Sequence, residues 1–230
     1  MPLSLVADSA NDWLNKGKEL LNTLDKDNST LSEIDISDGL KQALEKGAET
    51  VVTQLSGVDG FNGDPDIHIP LPENFKKMNK MLKKIGYSSW TNELELKLNR
   101  AAELATPKAK TLFLDAIKDM QLEDVKKIYS GADDAATQYF KSKMNAPLAE
   151  AFKPIIDSSL DEVGAIVLFD KMVKKYQAMP FVPDIKADLS KHVIDEGLSG
   201  IFYYLAKEEA AIRNDPLKQS TELLKKIFSN

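Results

Sequence analysis

Apolar residues recur at helical spacing along almost the whole chain, with polar residues on the opposite side of each segment. This pattern predicts an all-α fold, which we interpret as a single compact multi-helix domain of roughly ten helices. Glycine and proline lie mainly between the segments, where helices begin and end. No pair of alternating segments joined by a tight turn indicates a β-hairpin.

The pattern divides the chain into a short N-terminal part and a larger helical domain. Residues 1–36 are predicted to form an N-terminal helix, at about residues 11–24, and a polar linker. The helical domain spans residues 37–230 and begins with a helix that Ser37 or Asp38 would cap. A Gly- and Pro-rich loop at residues 58–71 follows, and Pro72 opens the next helix. Later helices are predicted to start near Ser89, Thr106, Leu122, Ala135, Pro147, Val163, Leu189 and Asp215.

Composition narrows the chemistry more than the fold. The 230 residues include no cysteine, which excludes disulfides, thiolate nucleophiles and Cys-ligated metals. His68 and His192 are the only histidines, too few for a three-His metal site. The net charge of −6 argues against general nucleic-acid binding, which usually needs a basic domain. No Ser/His/Asp set, phosphate loop, GxGxxG or HExxH pattern occurs, and we expect no cofactor.

Arginine is rare, which directs attention to its two positions. Among 30 basic residues only Arg100 and Arg213 are arginines, and both lie in predicted helices. Because the guanidinium fork suits paired carboxylates, we predict that Arg100 pairs with Glu208 or Glu209 across packed helices. Glu209 is also spaced to meet Arg213 at i,i+4. Such pairs would fix helix register, or an arginine would anchor an anionic ligand.

The loop at residues 58–71 contains oxygen ligands with a spacing similar to that of a calcium loop. Asn62, Asp64 and Asp66 alternate, and Glu73 stands at the twelfth position from Asn62. The position that calcium loops give to glycine is Ile67, and three prolines oppose the usual backbone path. We therefore interpret the segment as a Gly/Asp-rich turn and keep calcium as an alternative.

Two further groups of charged residues are candidates. Asp133 and Asp134 are adjacent carboxylates at a predicted helix start, where capping is the usual role and acid/base chemistry the alternative. A short helix after residue 75 is crowded with lysines opposite an apolar row. It would either pack on the core with solvated lysines or give peripheral membrane contact. The lysines are Lys76, Lys77, Lys80, Lys83 and Lys84.

Several strings resemble a bacterial family known as domain of unknown function 4197. They include DIHIPLP at residues 66–72, LNRAAE at 98–103 and GADDAATQYF at 131–140. Similar segments lie at residues 152–155, 197–202, 208–213 and 223–228, so the resemblance runs from about Ser37 to Phe228. It implies no catalytic residues, because the family has no established activity. It does imply a secretion leader, often a lipoprotein one, and therefore a periplasmic or cell-envelope location. If the sequence is native full length, a cytoplasmic location is expected instead.

These observations leave two main hypotheses of function. The first is a non-catalytic envelope protein that binds an apolar or amphipathic ligand, or an envelope protein partner, between its helices. The second is a hydrolase that uses carboxylates such as Asp133, Asp134 or Glu208, with Arg100 as the anion clamp. The second requires those groups to converge in one cleft.

Overall fold

The computed structural model describes residues 32–180, 182 and 188–228, and within them the protein is entirely helical. Eight α-helices and a 3₁₀ turn, Glu73–Phe75, occur in this part. The predicted helix at residues 11–24 lies outside the described residues. The helices are α1 (Glu33–Leu55), α2 (Lys76–Lys84), α3 (Ser88–Lys118), α4 (Leu122–Tyr129), α5 (Ala135–Glu162), α6 (Ala165–Gln177), α7 (Leu189–Asn214) and α8 (Glu222–Phe228).

Four long helices build the core. Helices α1, α3, α5 and α7 pack against one another, while α4 and α8 lie on α1 and α6 lies on α3 and α5. Their inward stripes supply one large cluster of buried side chains, with Phe113, Tyr176 and Phe75 among the largest that are fully enclosed. A second, small cluster of Ala43, Ile212 and Leu224 lies beside it. The predicted all-α domain is confirmed.

Two predicted helix breaks are absent because proline is tolerated inside well-packed helices. We expected new helices at Thr106–Pro107 and Pro147, but α3 and α5 each run through these positions without interruption. Proline removes one hydrogen bond, and the apolar face that continues on both sides stays buried. Ala105 and Ala109 flank Pro107 and are fully enclosed.

Other helix ends follow local capping. Helix α1 starts earlier than the predicted Ser37 or Asp38, because Ser32 and Asp35 form a reciprocal capping box. Helix α7 is Leu189–Asn214 as predicted, with Asp188 as its N-cap. The helix predicted to start near Val163 begins two residues later, at Ala165, and is α6. Gly164 precedes it and has a left-handed φ of 70°. The C-terminal helix begins at Glu222, not at Asp215.

The loop between α1 and α2, residues 56–72, packs between α3 and α7. Gly60 permits the tight turn after α1, because a Cβ atom there would lie 2.4 Å from the Leu55 carbonyl oxygen. Gly200 of α7 lets the loop approach closely, since its own Cβ would meet the Phe61 ring at 3.0 Å and Ile67 at 3.1 Å. Phe61 and Ile69 are fully buried. The loop is therefore part of the core.

Candidate functional site

Arg213 and Glu209 form a buried ion pair on α7. Arg213 Nη2 lies 3.0 Å from Glu209 Oε1, and the two side chains are 8% and 6% exposed. This is the i,i+4 pair that the sequence predicts. Arg213 Nε donates to the same oxygen at 3.2 Å. A buried charge needs such a partner, because desolvation alone would cost several kcal/mol.

The pair also joins two other helices at their meeting point. Glu209 accepts the backbone N–H groups of Ala136 and Thr137, and the Thr137 hydroxyl, each at 2.9 Å. Arg213 donates to the carbonyls of Ile128 at 2.9 Å and Tyr129 at 3.3 Å. The carboxylate thus lies at the positive start of α5 and the guanidinium at the negative end of α4. These contacts attach both helix ends to α7.

Arg100 does not reach Glu208 or Glu209, so that predicted pairing is wrong. Its Nη1 donates to Glu103 Oε2 at 2.6 Å and its Nη2 to Asp59 Oδ1 at 2.8 Å. The spacing placed Arg100 on an inward row of α3. The segment that packs over this row is the α1–α2 loop and not the part of α7 that carries Glu208 and Glu209. The Glu103 carboxylate raises the pKa of Arg100. Asn62 and Arg100 lower the pKa of Asp59.

A polar row on α3 that the sequence analysis missed holds this loop. Glu95, Asn99 and Glu103 follow at intervals of four, and Asn99 is fully buried. Glu103 accepts the N–H groups of Phe61 and Asn62, both at 3.1 Å. Asn99 accepts from the Ile69 N–H and donates to the Ile69 carbonyl, each at 2.9 Å. The spacing of these three polar residues at i, i+4 and i+8 places them on one side of α3, and this could have been noticed in the sequence.

Both histidines also contact the loop. The His68 ring lies 3.0 Å from the Asn62 carbonyl through Nδ1 and 3.1 Å from Glu95 through Nε2. His192 of α7 lies 2.7 Å from the Pro70 carbonyl through Nε2. The two rings therefore attach opposite sides of the loop to α3 and α7.

The calcium alternative has no support in the arrangement of the loop. Asn62 donates to Asp59 at 2.8 Å, and Asp64 accepts the Asp66 N–H at 2.9 Å. The Tyr204 hydroxyl donates to Asp64, which raises the pKa of Tyr204 to about 12. Among the described residues no group of three or more His, Asp or Glu side chains could hold a metal ion.

The Asp66 carboxylate contacts side chains of α7. Its Oδ2 accepts from the Tyr203 hydroxyl at 2.8 Å and lies 3.4 Å from Lys207 Nζ. These two donors lower the pKa of Asp66. Asp64 and Asp66 therefore attach the loop to α7, whereas Asn62 bonds to Asp59 within the loop.

The Asp133–Asp134 pair neither caps α5 nor joins the other carboxylates. Asp133 is exposed, and Asp134, at the N-cap position, makes no capping hydrogen bond. Asp134 accepts from Gln138 at 2.9 Å. The capping carboxylate comes from Glu209 of α7, because that side chain reaches the same N–H groups from inside the core.

Glu208 is separate from both arginines. It lies 3.1 Å from Lys218, and its side chain is 16% exposed. Arg100, Asp134 and Glu208 thus have different partners, so the structure does not assemble the cleft that the hydrolase hypothesis requires.

An apolar pocket lies next to the Arg213–Glu209 pair, between the main core and the small cluster of Ala43, Ile212 and Leu224. Its open volume is about 20 Å³. Apart from Thr137, Glu209 and Arg213, its walls are glycine and apolar side chains. The lining residues are Leu40, Ala43, Leu44, Gly47, Ala48, Phe113, Ile117, Thr137, Phe140, Leu205, Glu209, Ile212, Arg213 and Phe228.

The lysine-rich helix α2 buries its apolar side and exposes its charges. Phe75, Met78 and Leu82 are buried, and Phe75 meets Phe169 of α6 edge to face at 5.0 Å. All five predicted lysines are exposed. No helix of the described chain is long and apolar enough to cross a membrane.

In the part of the chain that the structure describes, the helices carry an ion-pair cluster at each arginine and an apolar pocket beside one of them. Residues 30–229 match the family described as "Protein of unknown function (DUF4197)", and the chain belongs to that family. No curated protein and no solved structure matches it. The match confirms the resemblance found in the sequence.

Proposed function

We propose that the protein binds an apolar ligand, or the apolar part of an amphipathic one, without catalysing a reaction. The supporting observation is the pocket, which is lined by five helices and is apolar except at one wall. Helical proteins commonly hold such ligands between facing helices. The pocket lies where two hydrophobic clusters are incompletely packed against each other.

The polar wall favours an apolar occupant because its groups already satisfy one another. Glu209 accepts from two backbone N–H groups, a hydroxyl and Arg213. Arg213 in turn has Glu209 and two backbone carbonyls as partners. A ligand anion would have to compete with this carboxylate for the guanidinium. We therefore propose that the Glu209–Arg213 pair shapes the polar wall of the pocket and leaves it without net charge, and does not bind the ligand directly.

We propose that Phe228, a partly exposed residue of the pocket lining, covers the mouth of the pocket. The Phe228 ring lies 5.6 Å from the Arg213 guanidinium and is partly exposed. It belongs to α8, which has seven residues and depends on packing through Leu224 and Ile227. An open volume of about 20 Å³ holds roughly one water molecule. A ligand of larger size would therefore need Phe228 to move outward.

We also propose a periplasmic or cell-envelope location. The support is the family resemblance, since similar proteins carry secretion leaders. Fractionation of the native host tests it: the protein should appear with envelope markers, and recovery with cytosolic markers would contradict it. In that envelope the ligand would be a lipid-like molecule, with an envelope protein partner as the other outcome.

Matched glycine variants test the pocket. Gly47→Ala adds a methyl group that meets Ile212 and Glu208 at 3.7 Å, an ordinary contact, and so narrows the pocket without strain. Gly197→Ala adds the same group on α7 where no atom lies within 4 Å. Titration with the uncharged fluorescent probe N-phenyl-1-naphthylamine should show weaker binding to Gly47→Ala only. Equal binding by both variants and the wild type would contradict the assignment.

Removal of the mouth residue should act in the opposite direction. Phe228→Ala opens the pocket and should strengthen or accelerate probe binding, whereas Phe169→Ala, a partly buried ring at α6, should not. Equal gains in both variants would indicate binding to a loosened core. No gain in either would contradict the role of Phe228 as the gate.

A further inference from the structure

We propose that the surface formed by α2 and α6 is a docking face for the anionic surface of a phospholipid bilayer. The face consists of the five lysines of α2, three lysines of α6, and the aromatic pair Tyr87 and Trp90 at the start of α3. This inference is independent of the pocket. Trp90 and the pocket residue Phe113 are 23 positions apart on α3, or about 35 Å along its axis.

The charge of this face is opposite to that of the rest of the chain. Residues 73–90 and 165–177 contain eight lysines and two acidic residues, a net charge of +6. The whole chain carries −6, so the remaining residues carry −12. This asymmetry orients the molecule, because an anionic surface attracts one side and repels the other.

Most of these lysines are uncompensated. Lys76 pairs with Glu73 at 2.6 Å. Within the described chain Lys77, Lys80, Lys83 and Lys84 form no ion pair, and all are exposed. Since α2 packs on α6, the two helices place their charges side by side. The lysine ammonium groups are therefore available to several lipid phosphates at once.

The aromatic pair explains why a membrane fits better than a nucleic acid. Tyr87 and Trp90 contact each other at 4.4 Å, and Lys175 and Lys171 cover their rings at 5.1 Å and 4.6 Å. A lysine over one face of each ring leaves less ring surface for stacking on bases, which binding of single-stranded nucleic acids uses. Partly exposed aromatic rings beside lysines are instead typical of the membrane interface.

The lysine composition favours the same partner. Neither arginine lies on this face, so it lacks the planar forks that read phosphates or bases in pairs. Lysines carry compact charges on flexible stems, which suits a fluid surface of headgroups. Ile85, 48% exposed at the end of α2, adds an apolar side chain at its edge.

A vesicle-binding experiment with matched triple variants tests the proposal. The face variant is Lys77→Glu/Lys80→Glu/Lys84→Glu. The control is Lys108→Glu/Lys141→Glu/Lys143→Glu, which changes the net charge equally. These three lysines lie outside the face, are exposed, and form no ion pair with any other described residue. The full chain should float with phosphatidylglycerol-containing vesicles at low salt and not with phosphatidylcholine vesicles. Removing one lysine charge at a membrane weakens partitioning about fivefold, so loss of three charges corresponds to about a hundredfold. Because each Lys→Glu change also adds a negative charge, we expect a loss of more than about a hundredfold in the face variant.

The control triple should retain most of the binding. Equal losses in the two triples would overturn the face as the site, and so would absence of wild-type binding. Tighter binding to single-stranded DNA or heparin than to the vesicles would overturn the membrane assignment. The milder Lys77→Gln/Lys80→Gln/Lys84→Gln variant guards against misfolding and should show a smaller loss in the same direction.

Fluorescence of Trp90 reports the orientation directly. The chain has two tryptophans, so Trp13→Phe leaves Trp90 as the only one. Anionic vesicles should shift its emission to shorter wavelength, because the ring enters a less polar environment. Binding without any such shift would show that another surface meets the bilayer. The pocket variant Gly47→Ala should bind vesicles like the wild type, which separates this test from that of the proposed function.

Discussion

The two arginines of the chain form two clusters of the same design in different surroundings. Each pairs with a glutamate one turn away on its own helix, and that glutamate accepts two consecutive backbone N–H groups from another segment. The Arg213 cluster holds the start of α5. The Arg100 cluster holds the α1–α2 loop at Phe61 and Asn62. In both, the arginine pairs with a buried carboxylate and holds it in place.

The difference between the clusters is the exposure of the arginine. The Arg213 side chain is 8% exposed and has carbonyl partners at the end of α4, whereas Arg100 is 30% exposed and shares its charge with the half-exposed Asp59. If Arg100 is removed, water can partly solvate the Glu103 carboxylate. Water cannot readily reach Glu209 in the same way, because the site of Arg213 is buried. The same motif should therefore contribute very different amounts to stability.

The largest expected effect is from Arg213→Ala. It leaves the Glu209 charge buried without its cation, and it frees the carbonyls of Ile128 and Tyr129. We expect a loss of about 3–5 kcal/mol in the free energy of unfolding, measured by urea denaturation. Arg213→Lys should recover only part of it, because an ammonium cannot span these partners. A loss below about 1 kcal/mol for the alanine variant would contradict the assigned role.

Arg100→Ala should cost less, about 1–2 kcal/mol by the same measurement, because solvent partly screens Glu103 after the change. The loss should be local: amide exchange of Phe61 and Asn62 should accelerate while that of Ala136 and Thr137 stays unchanged. If Arg100→Ala destabilises the protein as much as Arg213→Ala, exposure does not distinguish the two clusters.

Acid should weaken the contacts by which Asp59 and Asp66 hold the α1–α2 loop. The pKa values of Asp59 and Asp66 lie below their ordinary 3.8. Both carboxylates therefore keep their contacts above that pH and lose them as the pH falls through the lowered values. Two-dimensional NMR should show amide shifts in the loop below about pH 4, with the α4–α5 junction as the internal reference. Loop shifts that begin near neutral pH would contradict this assignment.

The smallest effect is predicted for Glu208→Gln. Glu208 pairs with the half-exposed Lys218, and such pairs contribute about 0–1 kcal/mol. We expect urea midpoints close to those of the wild type. A loss comparable to that of Arg213→Ala would show that the carboxylate of Glu208, and not of its neighbour Glu209, carries the cluster.

The sequence identified the right residues more reliably than their partners. Periodicity predicted the all-α fold and α7, and spacing predicted the Glu209–Arg213 pair because both residues lie on one helix. Arg100 has one partner, Glu103, at i,i+3 on its own helix, a local spacing that was present in the sequence. Its other partner, Asp59, lies on a loop 41 residues away, and no local pattern specifies which segment packs over a helix face. The cap of α5 was assigned to Asp133 or Asp134 for the same reason, although it comes from Glu209.

Some of the missed features were present in the pattern. Glu95, Asn99 and Glu103 lie on one row of α3, and a polar row within an apolar helix indicates a polar segment packed against it. The pocket could not be predicted in this way. It depends on how α8 and the small cluster fit against the main core, which is decided by side-chain volumes across five helices.

The most direct test of the account is native mass spectrometry of the full-length protein purified gently from cells of its own host. We predict a reproducible additional mass of an apolar or amphipathic molecule, reduced in Gly47→Ala and retained in Gly197→Ala. A bare mass for the wild type and also for Phe228→Ala would contradict ligand binding in the pocket.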